Sequence, residues 1–388
     1  MRKVYNIVAA ALLAAIISSC AEKKHVIVVT NDSELSRENE TVEVLFKALQ
    51  DGCEGLTAEN VVILDSEGKQ VPSQVYAETD GTVKLLFQAS VESGASAEFK
   101  VEKGIRENYP TLAYSRHVPE RKDDYAYENN KVAGRVYGPV LDFPRTFGSD
   151  IWLKSTESLV IDKRYHDELV NGLSYHINHG DGMDCYKVGP TLGGGALVPY
   201  VEGKLILGDN WKEVKHICDG PVRTKAVFTY DTLDVAGQKY AAVREMELDA
   251  NTHFVKFVTT FTPVGHEADS MMVQLGAVTH DVLNKYSGDS WIAFTEVASD
   301  TKQPEVDGNI SVAVVYDPAD LADNGMVACN LENGHASIVT KEATNKPITV
   351  WTGSGWSQAG IDFPEVWTAM VGDFAYAKQN PLKAVIKR

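Results

Sequence analysis

The 388 residues contain no C-x-x-C pair. The five cysteines, Cys20, Cys53, Cys185, Cys218 and Cys329, are widely scattered, which excludes a zinc ribbon or a redox pair. A chain of this length buries a core without a disulfide framework, so free thiols are expected. Basic residues are also short: 37 Lys and Arg against 54 Asp and Glu leave a net charge of -17. Nucleic-acid binding, driven by clustered cations that displace counterions, is excluded on that balance. An anionic small molecule is not, because a local group of Arg and Lys can hold one against the overall field. No apolar stretch reaches the roughly 20 residues that a membrane-spanning helix needs. The stretch from Ile7 to Ile17 follows Arg2 and Lys3 and ends at Ser18 and Ser19, the layout of a cleavable secretory signal over residues 1–19.

What is present is strand-like. Residues 26–29, 42–44, 61–64, 83–87 and 99–101 form short apolar or alternating runs, separated by turn chemistry at 65–69 and 79–82. They predict a small antiparallel β-sandwich over residues 20–104. Residues 105–130, charged and aromatic with two prolines, read as a linker. From 131 to 388 the runs lengthen, as at 225–230, 240–248 and 254–261, and predict a large antiparallel β-sandwich. Helical periodicity is confined to 364–370. Neither βα alternation nor a fixed repeat occurs, which disfavours a parallel α/β fold.

The densest polar cluster spans residues 175–190 and runs into Gly193, Gly194 and Gly195. Glycines let backbone approach a ligand, while His176, His179 and Tyr186 offer proton donors and acceptors, with Asp181 and Asp184 to orient a base. His179 and Asp181 also suit a divalent metal, although His176 and His179, three apart, converge only if the backbone turns between them. A second group holds Arg135, Tyr137, Arg145, Asp150, Trp152, Lys163 and Arg164. Arginine grips carboxylates bidentately and aromatic faces stack on sugar rings. Arg135, Arg145 and Lys187 are therefore candidates to hold an acidic saccharide, with Tyr137 and Trp152 beside them; the competing reading is that these Arg and Asp pair with one another across strands. Trp351 and Trp356 flank Gly353-Ser354-Gly355 as either a sugar platform or core. Arg244, Glu247, Gln274, His280 and Asp281 alternate along strands, as an inward-facing polar set or a solvated face.

Ser18-Ser19-Cys20 resembles the lipobox of bacterial lipoproteins, which implies acylation at Cys20 and anchoring to a membrane through its lipid. The segment Asp123-Asp124-Tyr125-Ala126-Tyr127-Glu128-Asn129-Asn130-Lys131-Val132-Ala133-Gly134-Arg135-Val136-Tyr137-Gly138-Pro139 resembles domain-of-unknown-function family 4861. So do His179-Gly180-Asp181-Gly182-Met183-Asp184-Cys185-Tyr186-Lys187-Val188-Gly189 and Gly353-Ser354-Gly355-Trp356, and the likeness covers most of 110–388. Where that family often has Glu in a His-Gly-Glu-Gly motif, this chain has Asp181, a shorter carboxylate. The resemblance implies a large domain similar to the galactose-mutarotase-like supersandwich. It also implies an exported component of polysaccharide-utilisation gene sets in Bacteroides-like bacteria, often near enzymes acting on uronic-acid glycans. From fold to reaction the step is an analogy only.

The expectation is therefore a mostly β protein: a small N-terminal sandwich, then a large antiparallel supersandwich carrying the site. It would be lipid-anchored to a bacterial membrane, facing the periplasm, with the cell surface as the alternative, and would act on uronic-acid-containing, pectin-like oligosaccharides as a lyase or hydrolase. A non-catalytic glycan-binding lipoprotein and a sugar mutarotase or epimerase are the alternatives.

Overall fold

Along residues 25–103, apolar and polar side chains alternate with the strand period of two, so each strand carries one apolar face that must be covered. Two antiparallel sheets cover each other. One orders Lys383–Lys387, His25–Thr30, Ser96–Lys103, Val61–Leu64 and Gln70–Val71; the other orders Arg37–Leu45, Val83–Val91 and Ser73–Ala77. Ile27, Val29, Val42, Ile63, Leu85, Phe87 and Phe99 fill the space between them. The computed structural model describes residues 25–143, 145–298, 304–318, 327–330 and 334–387; the expected signal segment and Cys20 lie outside them.

Two boundaries differ from the sequence expectation. The small sandwich does not end near residue 104, because the C-terminal strand Lys383–Lys387 returns to pair antiparallel with His25–Thr30, Ile27 opposite Ile386. Leu382, Ala384 and Ile386 pack against its core. Alternation marks that segment as a strand but cannot name its partner. Nor are residues 105–130 a linker throughout. Ala113–Val118 and Asp124–Asn129 are strands of a five-stranded sheet completed by Ala133–Val136, Ser149–Lys154 and Gly182–Asp184. Every residue of Asp124–Asn129 is buried. Its charges are neutralised inside by cations from neighbouring strands, Arg135 and Lys154.

The large sandwich is built on a nine-stranded antiparallel sheet. Its order is Glu213–Cys218, Arg223–Thr229, Gln238–Asp249, Phe254–Pro263, Ile348–Trp356, Asn309–Tyr316, Trp291–Val297 and Val282–Gly288, with Leu233–Val235 paired to Gln238–Asp249. Facing it lie the Ala113–Asp184 strands and a second five-stranded sheet of Lys204–Leu205, Ala196–Val201, Ser270–Val278, His335–Ala343 and Val327–Asn330. Tyr127, Ile151, Met183, Val198 and Leu275 meet Phe228, Met246, Phe257, Val312 and Val350 in the main core. The mostly β, antiparallel, two-sandwich arrangement is the one the sequence predicts.

The outer face of the nine-stranded sheet is covered by the helix Pro364–Gln379, which starts with proline in its first turn, where the missing N–H costs nothing. Trp367, Val371 and Ala375 recur at four-residue spacing and bury one stripe against Phe254, Ala293, Ala313 and Val315. The Gly353-Ser354-Gly355 run serves this packing: a Cβ at residue 353 would lie 2.5 Å from the Phe254 ring, and one at 355 would lie 3.3 Å from Trp367. Cys53, Cys185 and Cys218 form no disulfide.

Candidate functional site

Antiparallel register sets one face of the Ala113–Asp184 sheet: Arg135 stands opposite Asp150, and Trp152 opposite both Ala133 and Asp184. The period of two therefore gathers Asp124, Arg135, Asp150, Trp152 and Asp184 on one side. Arg135 Nε lies 2.8 Å from Asp150 Oδ2, Nη2 2.9 Å from Asp184 Oδ2, and Nη1 3.6 Å from Asp124 Oδ2. The rings of Tyr137, Trp152 and Tyr175 surround the guanidinium at 5.2 to 5.4 Å. Burial pushes the Asp124 and Asp150 carboxyls above their usual range, against the pull of Arg135. Nearby, Lys154 meets Glu128 at 2.8 Å, and Glu128 accepts the N–H groups of Val160 and Ile161, each at 2.8 Å, where the helix Ile161–His166 begins. These charges hold the helix to the sheet.

Most of the predicted site residues belong to this interior and meet no substrate-sized opening. Arg135, Tyr137 and Trp152 are buried, as are Trp356, whose Nε1 donates to the Asp307 carbonyl, and Tyr186, whose hydroxyl donates to the Val278 carbonyl. Arg145 is exposed and pairs with Asp209 at 2.7 Å. Lys187 is also exposed. His176 and His179 sit at the rim: Nδ1 of the first donates to the Asp184 carbonyl at 2.9 Å, and Nε2 of the second to the Ser174 carbonyl at 3.0 Å. Asp181 does not join His179 around a metal. Although burial opposes its charge, Lys163 at 2.9 Å and Arg164 at 3.4 Å hold its carboxyl below the usual range. Among the described residues no three His, Cys, Asp or Glu side chains gather as a metal site. The space beside His179 and Asp181 is about 10 Å³, room for one water at most. A catalytic role for His176, His179, Asp181 and Tyr186 is therefore not what the geometry favours: titratable groups concentrated there because they tie loops to the sheet.

His280 illustrates the same use of charge. Nδ1 donates to Glu296 Oε1 at 2.7 Å and Nε2 to the Lys187 carbonyl at 2.8 Å, so only the imidazolium satisfies both acceptors. Burial opposes that charge, but Glu296 raises the pKa above the usual histidine value. A raised histidine pKa contributes stability fully below the unfolded value of about 6.5 and loses it as pH rises through the folded value. Thermal melts of His280→Gln should thus fall furthest below the wild type under about pH 6, by about 1–2 kcal/mol, and close on it in alkali. A gap that widens with pH would contradict this.

The ligand-sized opening lies elsewhere. A cavity of about 660 Å³ separates residues 35–43 of the small sandwich from the nine-stranded sheet and the C-terminal helix. Its lining includes Arg37, Glu43, Arg223, Glu247, Asp249, His253, Lys256, Trp351, Phe374 and Lys378. Volumes of roughly 300–1,000 Å³ with an apolar wall and a few converging polar groups are typical of small-molecule sites. Phe374 stacks on Phe254 at 3.9 Å and meets Trp351 edge-on at 6.2 Å, which forms the aromatic wall. Arg223 grips Asp249 through two hydrogen bonds and reaches Glu43 across to the small sandwich. Glu247 takes Lys225 at 2.8 Å and Lys256 at 2.9 Å. Although burial opposes it, Arg223, Lys256 and Lys225 hold Glu247 far below the usual carboxylate range. His253 Nδ1 lies 3.0 Å from the Ser354 carbonyl, which fixes the ring proton there and leaves Nε2 an acceptor; burial keeps this ring below the usual histidine pKa.

Of these lining groups, the sequence singled out only Glu247 and Trp351. The signal for the rest lies in register: Lys225 stands opposite Glu247, and Glu247 opposite Lys256, a charge ladder visible only once the strands are paired.

The chain is 27% identical over 397 residues to a relative in Formosa agariphila called "Uncharacterized protein P7", covering 96% of this chain and 97% of the relative. Two solved structures from Enterococcus faecalis are similar in fold. One is a protein in glycosyl hydrolase family 38, with a TM-score of 0.50, and the other an alpha-mannosidase, with a TM-score of 0.51. Each is 12% identical and covers 95% of this chain, which spans 48% and 46% of their respective lengths, about half. A family model described as a domain of unknown function (DUF4861) matches residues 29–384, taking in the small sandwich as well as the large one, and the chain belongs to that family.

Proposed function

We propose that this chain is an exported, carbohydrate-active protein that takes a uronic-acid-containing oligosaccharide into the cleft between the two sandwiches. The observation that carries this reading is the cavity of about 660 Å³, walled by Trp351 and Phe374 and ringed with charged groups. Aromatic faces suit the C–H faces of sugar rings, and polar groups fix their hydroxyls. The fold likeness to a glycosyl hydrolase family supports the substrate class without assigning a reaction. On the sequence side, Cys20 would carry the lipid that tethers the protein to a periplasm-facing membrane surface. Palmitate labelling that persists in a Cys20→Ser variant would rule that anchor out.

Of the two chemistries, β-elimination matches the cleft better than hydrolysis. A hydrolase needs a carboxylic acid that stays protonated. Of the carboxyls that line the cleft, Glu43 and Glu247 are instead both drawn below the usual range, against burial, by Arg223 and its neighbours. His253 offers a neutral Nε2 as the base. It would take the proton beside the uronate carboxylate, the C–H electron pair would become the C4=C5 double bond, and the C4–O4 bond would break, with O4 protonated from water. Calorimetric titration with a galacturonic-acid trisaccharide and mass spectrometry of the mixture test both halves. Trp351→Ala should weaken binding about tenfold or more, the scale of one aromatic contact in a buried site. Unsaturated products support elimination, and binding without products leaves a glycan-binding protein. Unchanged affinity in Trp351→Ala would remove the cleft from the account.

A further inference from the structure

We propose that Lys378 is the residue by which this cleft distinguishes an acidic sugar from a neutral one. The inference rests on the reading that an oligosaccharide occupies the cleft. Lys378 stands in the last turn of the helix Pro364–Gln379, with Nζ 4.9 Å from the centre of the Phe374 ring, on the aromatic wall. The other cations lining the cleft are occupied. Arg37 forms an ion pair with Glu40 at 3.0 Å and donates to the Asn380 carbonyl at 2.8 Å, Arg223 holds Asp249 and Glu43, and Lys256 holds Glu247. Among the described residues, Lys378 makes no hydrogen bond or ion pair to another side chain or carbonyl. The negative charges that bear on it, Glu40 and Asp249, are committed to Arg37 and Arg223.

An ammonium group placed so is poorly served. Burial draws its pKa below the usual lysine value, the mark of a cation that has lost water without gaining an anion. A carboxylate arriving in the cleft restores what is missing, through a charge-assisted hydrogen bond in a partly desolvated place. The neighbouring rings complete the match, since a uronic acid presents an apolar C–H face and a carboxylate at the same time. A neutral sugar satisfies the rings alone. Lys378 is thus a specificity residue: it adds affinity for the acidic ring and brings its carboxylate to a fixed point in the cleft, while proton transfer belongs elsewhere.

The test is calorimetric titration of the full chain with a galacturonic-acid trisaccharide and with its carboxyl-reduced, neutral counterpart. The wild type is expected to prefer the acidic sugar about tenfold or more, the worth of one hydrogen bond to a charged group. Lys378→Met should lose that preference and keep its affinity for the neutral sugar, while Lys378→Arg should recover most of it. Since Lys378 has, among the described residues, no hydrogen bond or ion pair to lose and only the Phe374 ring beside its ammonium, melting temperatures of all three proteins should agree within a few degrees. A preference that survives in Lys378→Met overturns the assignment and leaves the cleft reading intact. Absence of binding to either sugar in the wild type overturns the cleft reading itself, and this inference with it.

Discussion

Replacing Arg135 with methionine should lower the unfolding free energy at pH 7 by about 3–5 kcal/mol, the usual cost of removing one member of a buried ion pair. The melting temperature should drop by roughly 10 °C, at a few degrees per kcal/mol. The effect is large because Asp150 and Asp184, within 3 Å of the guanidinium at 2.8 and 2.9 Å, stay buried when it goes. It should also depend on pH in a defined direction. A carboxyl whose folded pKa lies above its unfolded value favours folding below the unfolded pKa, and that contribution is lost as pH rises through the folded one. Burial already raises Asp124 and Asp150, and Arg135 holds them down. Without it both rise further, so the gap between Arg135→Met and wild type should shrink as pH falls from 7 toward about 5. Urea denaturation at several pH values measures it. A pH-independent loss under about 1 kcal/mol would mean that the network is hydrated and open, and would return Arg135 to the list of substrate-binding residues.

A chain ending at Pro381 should lose the small sandwich while keeping the large one. Removing Lys383–Lys387 strips the pairing partner from His25–Thr30 and takes Leu382, Ala384 and Ile386 off the core. Three partly buried apolar side chains and a row of ladder hydrogen bonds amount to roughly 3 kcal/mol or more. The exposed edge would also invite pairing with another chain. Limited proteolysis should cut the truncated protein within residues 25–103 at least tenfold faster than the full chain, with the large sandwich spared. Equal resistance would show that the small sandwich stands without its last strand. The cleft makes this more than a matter of stability, because Leu35 to Glu43 form one of its walls.

The strands were legible wherever one face is buried and the other wet: 240–248 and 254–261 alternate in sequence and pair in the sheet. They were illegible where charge goes inward. The charges, aromatics and two prolines of residues 105–130 read as a linker, although Arg135 and Lys154, from other strands, neutralise Asp124 and Glu128 in the interior. The same blindness affected the site. His176, His179, Asp181 and Tyr186 drew attention because titratable groups cluster there, yet each is committed to a backbone carbonyl or a cation. No local pattern could reveal the cleft, since its walls come from residues near 40, 250, 351 and 375, brought together only when the last strand closes on the first.

Hydrogen–deuterium exchange with and without saturating galacturonic-acid trisaccharide shows whether the sugar enters the cleft between the sandwiches. Exchange should slow in Leu35–Glu43, Asp249–Lys256 and Met370–Leu382, which line the cleft, with the loop from Ser174 to Lys187 unchanged. Protection confined to Ser174–Lys187, with the cleft walls unaffected, would contradict binding in the cleft and move the site to the glycine-rich loop.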